Sequence, residues 1–311
     1  MAFVSVLTLN PCIDRCIYLP GKLTPGTIHR ATRTVQDIAG KGLNQGVVMK
    51  HLGCEVEYYS FGSREHDAVD DYIESLGLIY KKTPAACGIR CNVKIVDADG
   101  QGTEINEKGG PIQKSETEQI LEALEGSDAP IVSVCGSIPQ GIEADIYRKI
   151  IEKAKEKGRI TVLDADGEAL KCGISACPDL IKPNRRELAG LYDLRESDLA
   201  DENKVISLAR QVYERYGTTV LCTLDESGSI YVGAEGIFRA GVAKLPLLGF
   251  SGAGDTYLGA YIYAKFKQKK TAPEAISFAA RASAAKIALP GSLLPTKEQI
   301  DAVGEVEVWQ V

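Results

Sequence analysis

The sequence predicts an α/β protein, a mostly parallel sheet with helices on both faces and a small β lid projecting from one edge. Three observations carry that prediction. From Ser115 onward, short apolar runs alternate with amphipathic runs of helical length, the pattern of parallel strands joined by helical crossovers. The stretches 12–35 and 87–108 do not fit this alternation and are assigned to the lid. The 311 residues hold no repeat, long linker or low-complexity tract, so one large domain is expected.

The elements follow in order. Phe3 to Leu9 is a compact β-rich run, expected as a buried strand. Asn10 to Thr27 is rich in Gly and Pro. A helix is expected from Gly42 to Leu52, a strand from Val56 to Phe61 and an amphipathic helix from Asp67 to Leu76. Gly88 to Val96 and Gly102 to Asn106 read as two strands around the turn Asp97-Ala98-Asp99-Gly100. Helix Ser115 to Leu124 then precedes strand Ile131 to Cys135, and helix Ile142 to Lys157 precedes strand Ile160 to Asp164. Strand Asp179 to Lys182 comes before helix Arg185 to Leu191, and helix Glu202 to Tyr216 before strand Thr219 to Leu224. Helices Asp255 to Phe266 and Ala275 to Leu289 close the fold. The basic run Lys265 to Lys270 is read as a solvated helix end.

Composition narrows the function classes. Acidic residues number 42 against 36 Lys and Arg, a formal net charge of −6, which argues against a surface that coats nucleic acid. No apolar run approaches the roughly 18–20 residues that span a bilayer, so no membrane partner is expected. The opening Met1 to Asn10 lacks a basic region and a cleavage site, so it reads as a strand and not a signal peptide. Nine cysteines without an export signal are expected to be free thiols in the cytoplasm. Cys12 and Cys16, like Cys87 and Cys91, miss the CxxC spacing and have no His cluster nearby, which argues against zinc. His29, His51 and His66 leave few candidates for imidazole acid–base work.

Four local patterns carry chemistry. Gly252-Ala253-Gly254-Asp255-Thr256 opens a helix, where small residues let backbone N–H groups converge and the helix dipole favours an anion. Asp255 repels phosphate there, which makes sense if it accepts a proton from a hydroxyl attacking that phosphate. The same residues also read as a plain strand–helix turn with Asp255 as N-cap. Ala39-Gly40-Lys41-Gly42-Leu43-Asn44-Gln45-Gly46 enters a second helix without the P-loop spacing. Gly40 and Gly42 there let a ligand approach the backbone, and Lys41 can meet a phosphate or sugar oxygen; a simple helix start is the alternative. Pro183-Asn184-Arg185-Arg186-Glu187 follows a strand, at the edge where open α/β sheets bind ligands. Its Asn and Glu suit hydrated magnesium and phosphate oxygens, or else a capping box. Asn10-Pro11 with Asp14 sits just past the first strand, where a carboxylate can hold vicinal hydroxyls or merely shape a turn.

Together and in this order, these patterns resemble those of the PfkB (ribokinase-like) carbohydrate kinases over nearly the whole chain. Within that family the chain is most similar to the phosphosugar branch of 1-phosphofructokinases and tagatose-6-phosphate kinases. That similarity rests on Asn10-Pro11 with Asp14, Arg90-Cys91-Asn92-Val93-Lys94-Ile95 and Gly102-Thr103-Glu104-Ile105-Asn106. Gly136-Ser137-Ile138-Pro139-Gln140-Gly141, Leu163-Asp164 with Gly167-Glu168-Ala169-Leu170, and Leu180-Ile181-Lys182-Pro183-Asn184 add to it. The chain differs from the family pattern at Gly249-Phe250-Ser251, where a Thr is common, and at Thr223-Leu224-Asp225, where Ser-Leu-Gly is usual. Ala39 stands where Gly is usual and Ile89 where Thr is common.

The resemblance implies a three-layer α/β/α ribokinase-like fold and an ATP- and Mg2+-dependent kinase. Asp255 would be the catalytic base, with Gly252, Ala253 and Gly254 as the anion hole. Asp14, Gly40, Asn44 and Asn92 would bind the sugar. Lys41 and Arg90, with Arg30 and Ser137, would bind the phosphate already on it. Asn184 and Glu187 would organise Mg–ATP, Glu187 acting on the metal through water or ATP, and Thr223 and Gly228 would line the nucleotide. It further implies a homodimer through the lid and fructose 1-phosphate as acceptor, giving fructose 1,6-bisphosphate. Tagatose 6-phosphate and unphosphorylated sugars or nucleosides are alternative acceptors. A non-catalytic sugar or nucleotide sensor on the same fold is the reading from another class, and Asp255 argues against it.

Overall fold

The computed structural model describes residues 1–249 and 251–311; Phe250, one of the departures noted in the sequence, lies outside the described residues. The chain runs through β1 (Val4–Thr8), β2 (Cys12–Tyr18), β3 (Arg33–Ala39), α1 (Lys41–His51), β4 (Val56–Gly62), α2 (Ala68–Ser75), β5 (Ile79–Pro84), β6 (Arg90–Val96) and β7 (Gly102–Asn106). It continues with α3 (Lys114–Glu125), β8 (Ile131–Cys135), α4 (Ile146–Glu156), β9 (Ile160–Asp164), α5 (Gly167–Ile174), β10 (Leu180–Ile181), α6 (Arg185–Leu191), α7 (Glu202–Tyr216) and β11 (Thr219–Thr223). It closes with β12 (Ser229–Gly233), β13 (Gly236–Ala240), α8 (Ala253–Ile262), α9 (Ala272–Ile287), α10 (Lys297–Asp301) and β14 (Val308–Gln310).

Ten strands form the main sheet in the order β14-β13-β12-β11-β10-β9-β8-β1-β4-β5. From β5 to β11 every neighbouring pair is parallel, and β12, β13 and β14 join antiparallel at one edge. The alternation of side chains along β1 sends Val4 and Val6 to one face and Leu7 to the other. The first face packs under α1, α8 and α9, and the second under α3, α4 and α7, which gives three layers. This is the ribokinase-like α/β/α arrangement, with β1 running buried through its middle.

Helix ends follow local chemistry. α7 starts at Asp201, whose carboxylate accepts from Asn203 N at 3.0 Å, and stops at Gly217 with φ +66°. Its buried Val205, Leu208, Ala209 and Val212 form one stripe, and its bounds match the sequence expectation. α4 starts four residues later than expected because Gly141, with φ +86°, turns the chain against Ile112 O. α9 starts three residues earlier, with Pro273 in its first turn and Glu274 accepting from Thr271 N at 2.9 Å. The expected helix to Phe266 ends as α8 at Ile262 and continues as one π-helical turn, Tyr263–Lys267. Lys265 in that basic run pairs with Glu235, so it is not simply solvated.

A second sheet has the order β3-β2-β6-β7. It includes both expected lid segments, but its first half reaches Ala39 and not residue 35, because Arg33 to Ala39 pairs antiparallel with Cys12 to Tyr18 throughout. β2, inside the Gly- and Pro-rich stretch, pairs parallel with β6, which sets Cys12 beside Arg90 and Asp14 beside Asn92. Among the described residues, no helix is long and apolar enough to cross a membrane.

Candidate active site

The main sheet reverses its strand order between β1 and β8, and ligand crevices form outside the strand carboxyl ends at such a point. Here Asn10, just past β1, donates through Nδ2 to Ser137 Oγ at 3.0 Å, just past β8. The same edge carries Asp164 at the end of β9, Lys182 and Asn184 after β10, and Thr223 at the end of β11. Thr223 bridges to Asn184, and Thr223 N donates to Pro183 O at 3.0 Å.

α8 points its N-terminus at this edge. Gly252 is its N-cap with φ +83°, a conformation that side-chain residues avoid. The amides of Ala253, Gly254 and Asp255 have no partner one turn earlier inside the helix, so they remain available to an anion. Asp255 does not cap the helix, contrary to the plain-turn alternative. It reaches across to α1, where Asn44 Nδ2 donates to its Oδ2 at 2.7 Å. Burial and the nearby Asp164 charge push its carboxyl up to about 6, against the opposing pull of Lys41, Asn44 and Lys182.

Asp164, 1% exposed, is the hub beneath it. Its Oδ1 meets Lys41 Nζ at 3.0 Å and Lys182 Nζ at 3.5 Å, and its Oδ2 accepts from Gln45 Nε2 at 3.0 Å. Burial by itself would raise this carboxyl, but Lys182 and Lys41 outweigh it and hold the group below the ordinary carboxylate range. Lys41 also meets Glu187 Oε1 at 3.2 Å. Burial disfavours its charge, and Asp164, Glu187 and Asp255 overcome that and hold it well above the usual lysine value.

Two buried carboxylates, Asp164 and Glu187, thus draw Lys41 toward the strand ends. Arg90 sits on the lid, donating to Asn10 O at 3.3 Å, Asn92 Oδ1 at 3.0 Å and Glu107 O at 2.9 Å. Its Nη2 has no partner among the described residues. Arg30 is exposed and lies beyond the Tyr18–Arg33 end of the β2–β3 pair, the end away from Arg90. Ser137 is engaged by Asn10. Gly42 is a packing glycine, not a ligand approach: a Cβ there would lie 2.8 Å from Val6 Cγ1 and closer still to Thr8 Oγ1. Gly40, the N-cap of α1 with φ +149°, lies beside Thr8 and Pro11.

Asn184 and Glu187 form a full capping box: Glu187 N donates to Asn184 Oδ1 at 2.8 Å and Asn184 N to Glu187 Oε2 at 2.9 Å. Glu187 is thereby held facing Lys41 with both oxygens used. No three His, Cys, Asp or Glu side chains cluster to hold a metal ion among the described residues. Gly228, with φ +91°, presses against Ala240 O and leaves no room for a Cβ.

The lid faces the same cleft. Asp14 accepts from Lys94 Nζ at 2.9 Å and from Asn92 Nδ2 at 3.1 Å. Lys94 also donates to Ser251 Oγ, which ties the lid to the approach of α8. Asp14, Asp37, Lys94 and Glu104 on one side, and Gly249, Ser251 and Gly291 on the other, enclose about 170 Å³. Its walls carry the Asp14 carboxylate on the lid side and Ser251, at the approach to α8, on the other.

A model of the pfkB family carbohydrate kinases matches residues 7–299. The chain belongs to that family. It is a carbohydrate kinase, a phosphotransferase with an alcohol group as acceptor, and the family implies ATP as donor. The kinase is 28% identical over 263 residues to the 1-phosphofructokinase of Escherichia coli strain K12, spanning 84% of this chain and 83% of that one. It is 29% identical to the 1-phosphofructokinase of Haemophilus influenzae, spanning 91% and 90%. Among solved structures it is similar to phosphofructokinase-2 of Escherichia coli, with a TM-score of 0.85 at 22% identity, covering 97% and 98%.

Sequence reasoning assigned no role to Gln45, Lys94, Asp164, Lys182 or Lys286. Asp164, Lys182 and Lys94 lay inside patterns already singled out, each as a charged residue at the end of or within a β run. Gln45 lay inside the Ala39–Gly46 pattern beside Asn44, whereas Lys286 had no such signal.

Proposed function

We propose that this kinase phosphorylates fructose 1-phosphate to fructose 1,6-bisphosphate, using ATP with its bound magnesium. The carrying observation is the Asp255 carboxylate, held by Asn44 beside the amides that open α8. The acceptor assignment is supported by the 1-phosphofructokinase names of the relatives and by Arg90, whose Nη2 has no partner among the described residues.

The acceptor hydroxyl lies between Asp255 and the γ-phosphate of ATP. Its oxygen bonds to the γ-phosphorus as the bridging P–O bond to ADP breaks, and its proton passes to Asp255 Oδ. The amides of Gly252, Ala253 and Gly254 stabilise charge on the equatorial oxygens. Asp14, Asn92, Gly40 and Asn44 orient the sugar, and Arg90 binds its phosphate, with Asn10 and Ser137 bracing that corner. Lys41 is reassigned to the phosphoryl group in transit, because its ammonium lies with Asp164 and Glu187 on the Asp255 side. Asn184, Glu187, Thr223 and Gly228 flank the nucleotide. Magnesium is carried by the ATP phosphates, with Glu187 acting on it through water.

The chain works as one kinase unit with the second sheet as its lid. That sheet turns Ile17, Val93, Ile95 and the 59%-exposed Ile105 away from the cleft. This apolar face supports a homodimer through the lids, and light scattering reads it as a doubled mass. The kinase acts in the cytoplasm.

The test is ADP release with ATP across fructose 1-phosphate, tagatose 6-phosphate, fructose 6-phosphate and ribose. Fructose 1-phosphate is expected to give the highest kcat/KM. Preference for ribose overturns the anionic acceptor. Tight sugar binding without ADP release overturns catalysis.

A further inference from the structure

Lys286 lies in the last turn of α9 and is 1% exposed. It forms no ion pair among the described residues. Its Nζ donates to Gly291 O at 2.9 Å. A Cβ on Gly249 would lie 3.0 Å from that Nζ and 3.3 Å from Gly291 O, and would press on Leu289 O. The amides of Leu248 and Gly249 both donate to Ile287 O, at 2.7 and 3.0 Å. A Cβ on Gly252 would lie 3.5 Å from Lys286 Cε and 3.2 Å from Asn44 Nδ2. The ammonium therefore sits against the Gly291 carbonyl, between the end of α9 and the Gly252 turn that opens α8.

A lysine in a last helical turn commonly caps carbonyls and answers the helix dipole. Such a cap needs no burial, since the long stem ordinarily carries its charge out to water. Burying an ammonium without a paired carboxylate is costly, and the offset here is long-range. Burial lowers its affinity for the proton, Asp37 and Asp255 raise it, and Lys94 opposes them. One of the two compensating charges is thus the carboxylate assigned as base.

We propose that the Lys286 ammonium is a built-in monovalent cation for the phosphoryl site. It fixes the Gly249 and Gly252 backbone against α9, adds positive charge beneath the α8 amides, and makes turnover independent of added monovalent cations. Lys286 is a positioning residue and does not touch substrate. The inference rests on the assignment of the Gly252–Gly254 turn to the transferred phosphoryl group.

The test follows ADP release in buffers whose only monovalent cation is tetramethylammonium, too large for the pocket, with potassium or ammonium then added. Wild-type turnover is expected to change by less than about twofold. In K286A, kcat is expected to fall by about 100-fold, the scale of losing one anion-hole donor, with KM for ATP nearly unchanged. Ammonium or methylammonium should enter the vacated space and restore kcat by about tenfold or more. K286M fills that space with a neutral chain, so its kcat should stay low and resist rescue. A simple cap predicts lower stability in both variants with normal kcat and no rescue, and that result overturns the proposal. So does wild-type stimulation by potassium of about tenfold or more. If both variants fail to fold, the wild-type response and melting temperature decide. A potassium-induced rise of more than about 4 °C in the wild type overturns the proposal. An active wild type with negative Lys286 results sinks this inference alone, whereas a wild type without kinase activity sinks the phosphoryl-site assignment and this inference with it.

Discussion

Asn44 donates to Asp255 at 2.7 Å across a separation of 211 residues. One residue belongs to α1 and the other to α8, and their contact ties the start of one helix to the start of the other. The hydrogen bond favours the ionised carboxylate, so it partly offsets the burial and the Asp164 charge that push Asp255 up to about 6.

Because a base acts only when deprotonated, kcat/KM should fall tenfold per pH unit below about 6. Removing the donor in N44A should move that limb to higher pH. A pH profile of ADP release measures both. An unmoved limb in N44A would show that the contact does not set the base.

D255N should lower kcat by about 10²–10⁴-fold, or roughly 3–5 kcal/mol of barrier. The same substitution should stabilise the fold. Asp255 titrates at about 6 when folded against an ordinary 3.8, so between those values the folded chain holds a proton that the unfolded chain has lost. Stability therefore drops as pH rises through that window and stays lower at neutrality. Replacing the carboxylate by an amide should recover on the order of 1–3 kcal/mol at pH 7, seen in urea melts. A less stable D255N would contradict the raised value.

R90A should raise KM for the phosphorylated acceptor by about 10–100-fold, the cost of losing a charge-assisted hydrogen bond, and leave KM for ATP within about threefold. Arg90 is braced by Asn10 O, Asn92 Oδ1 and Glu107 O, which fixes its guanidinium on the lid. Equal losses for both substrates would place Arg90 outside the acceptor site.

What could be read beforehand depended on how local the determinant was. α7 was legible because its cap, its apolar stripe and its terminal Gly217 all lie within the helix and its flanks. The bounds and partner of β2 were not, because Asp14 and Arg15 interrupt its apolar run and its pairing with β6 depends on residues far along the chain. β12, β13 and β14 join antiparallel at the sheet edge with no helix between β12 and β13, so the strand–helix alternation did not announce them. Asp255 and Asn44 stood in recognisable turns. The Lys41–Asp164–Lys182–Glu187 cluster draws on α1, β9, the turn after β10 and α6, so no spacing in the sequence announces it.

That cluster makes D164N a sharp test of what holds the site. Asp164 lies between two lysines with almost no access to water. Neutralising it leaves both ammoniums short of a counter-charge, and breaking a buried pair costs about 3–5 kcal/mol. Its carboxyl is held below the ordinary range, so the stability it contributes is present above the unfolded carboxylate value and is lost as pH falls through the lower folded value. Urea melts of D164N at neutral pH should show that loss, and the difference from wild type should shrink in acid. A difference independent of pH would mean that packing, not charge, is what Asp164 supplies.

Gly42 offers the last test, because it carries α1 and therefore Lys41 and Asn44. A Cβ at 42 would lie 2.8 Å from Val6 Cγ1 and nearer to the Thr8 hydroxyl, so G42A must push α1 off β1. Overpacking of this kind costs about 1–3 kcal/mol. The displacement should also weaken the Asn44–Asp255 contact and lower kcat by about tenfold, since misplacement of catalytic groups by less than 1 Å is felt at that scale. G190A is the control: its Cβ would meet nothing within 4 Å inside α6, so stability should hold or rise by roughly 0.5–1 kcal/mol with kcat unchanged. If G42A matches G190A in both readings, α1 is not seated on β1 through this glycine.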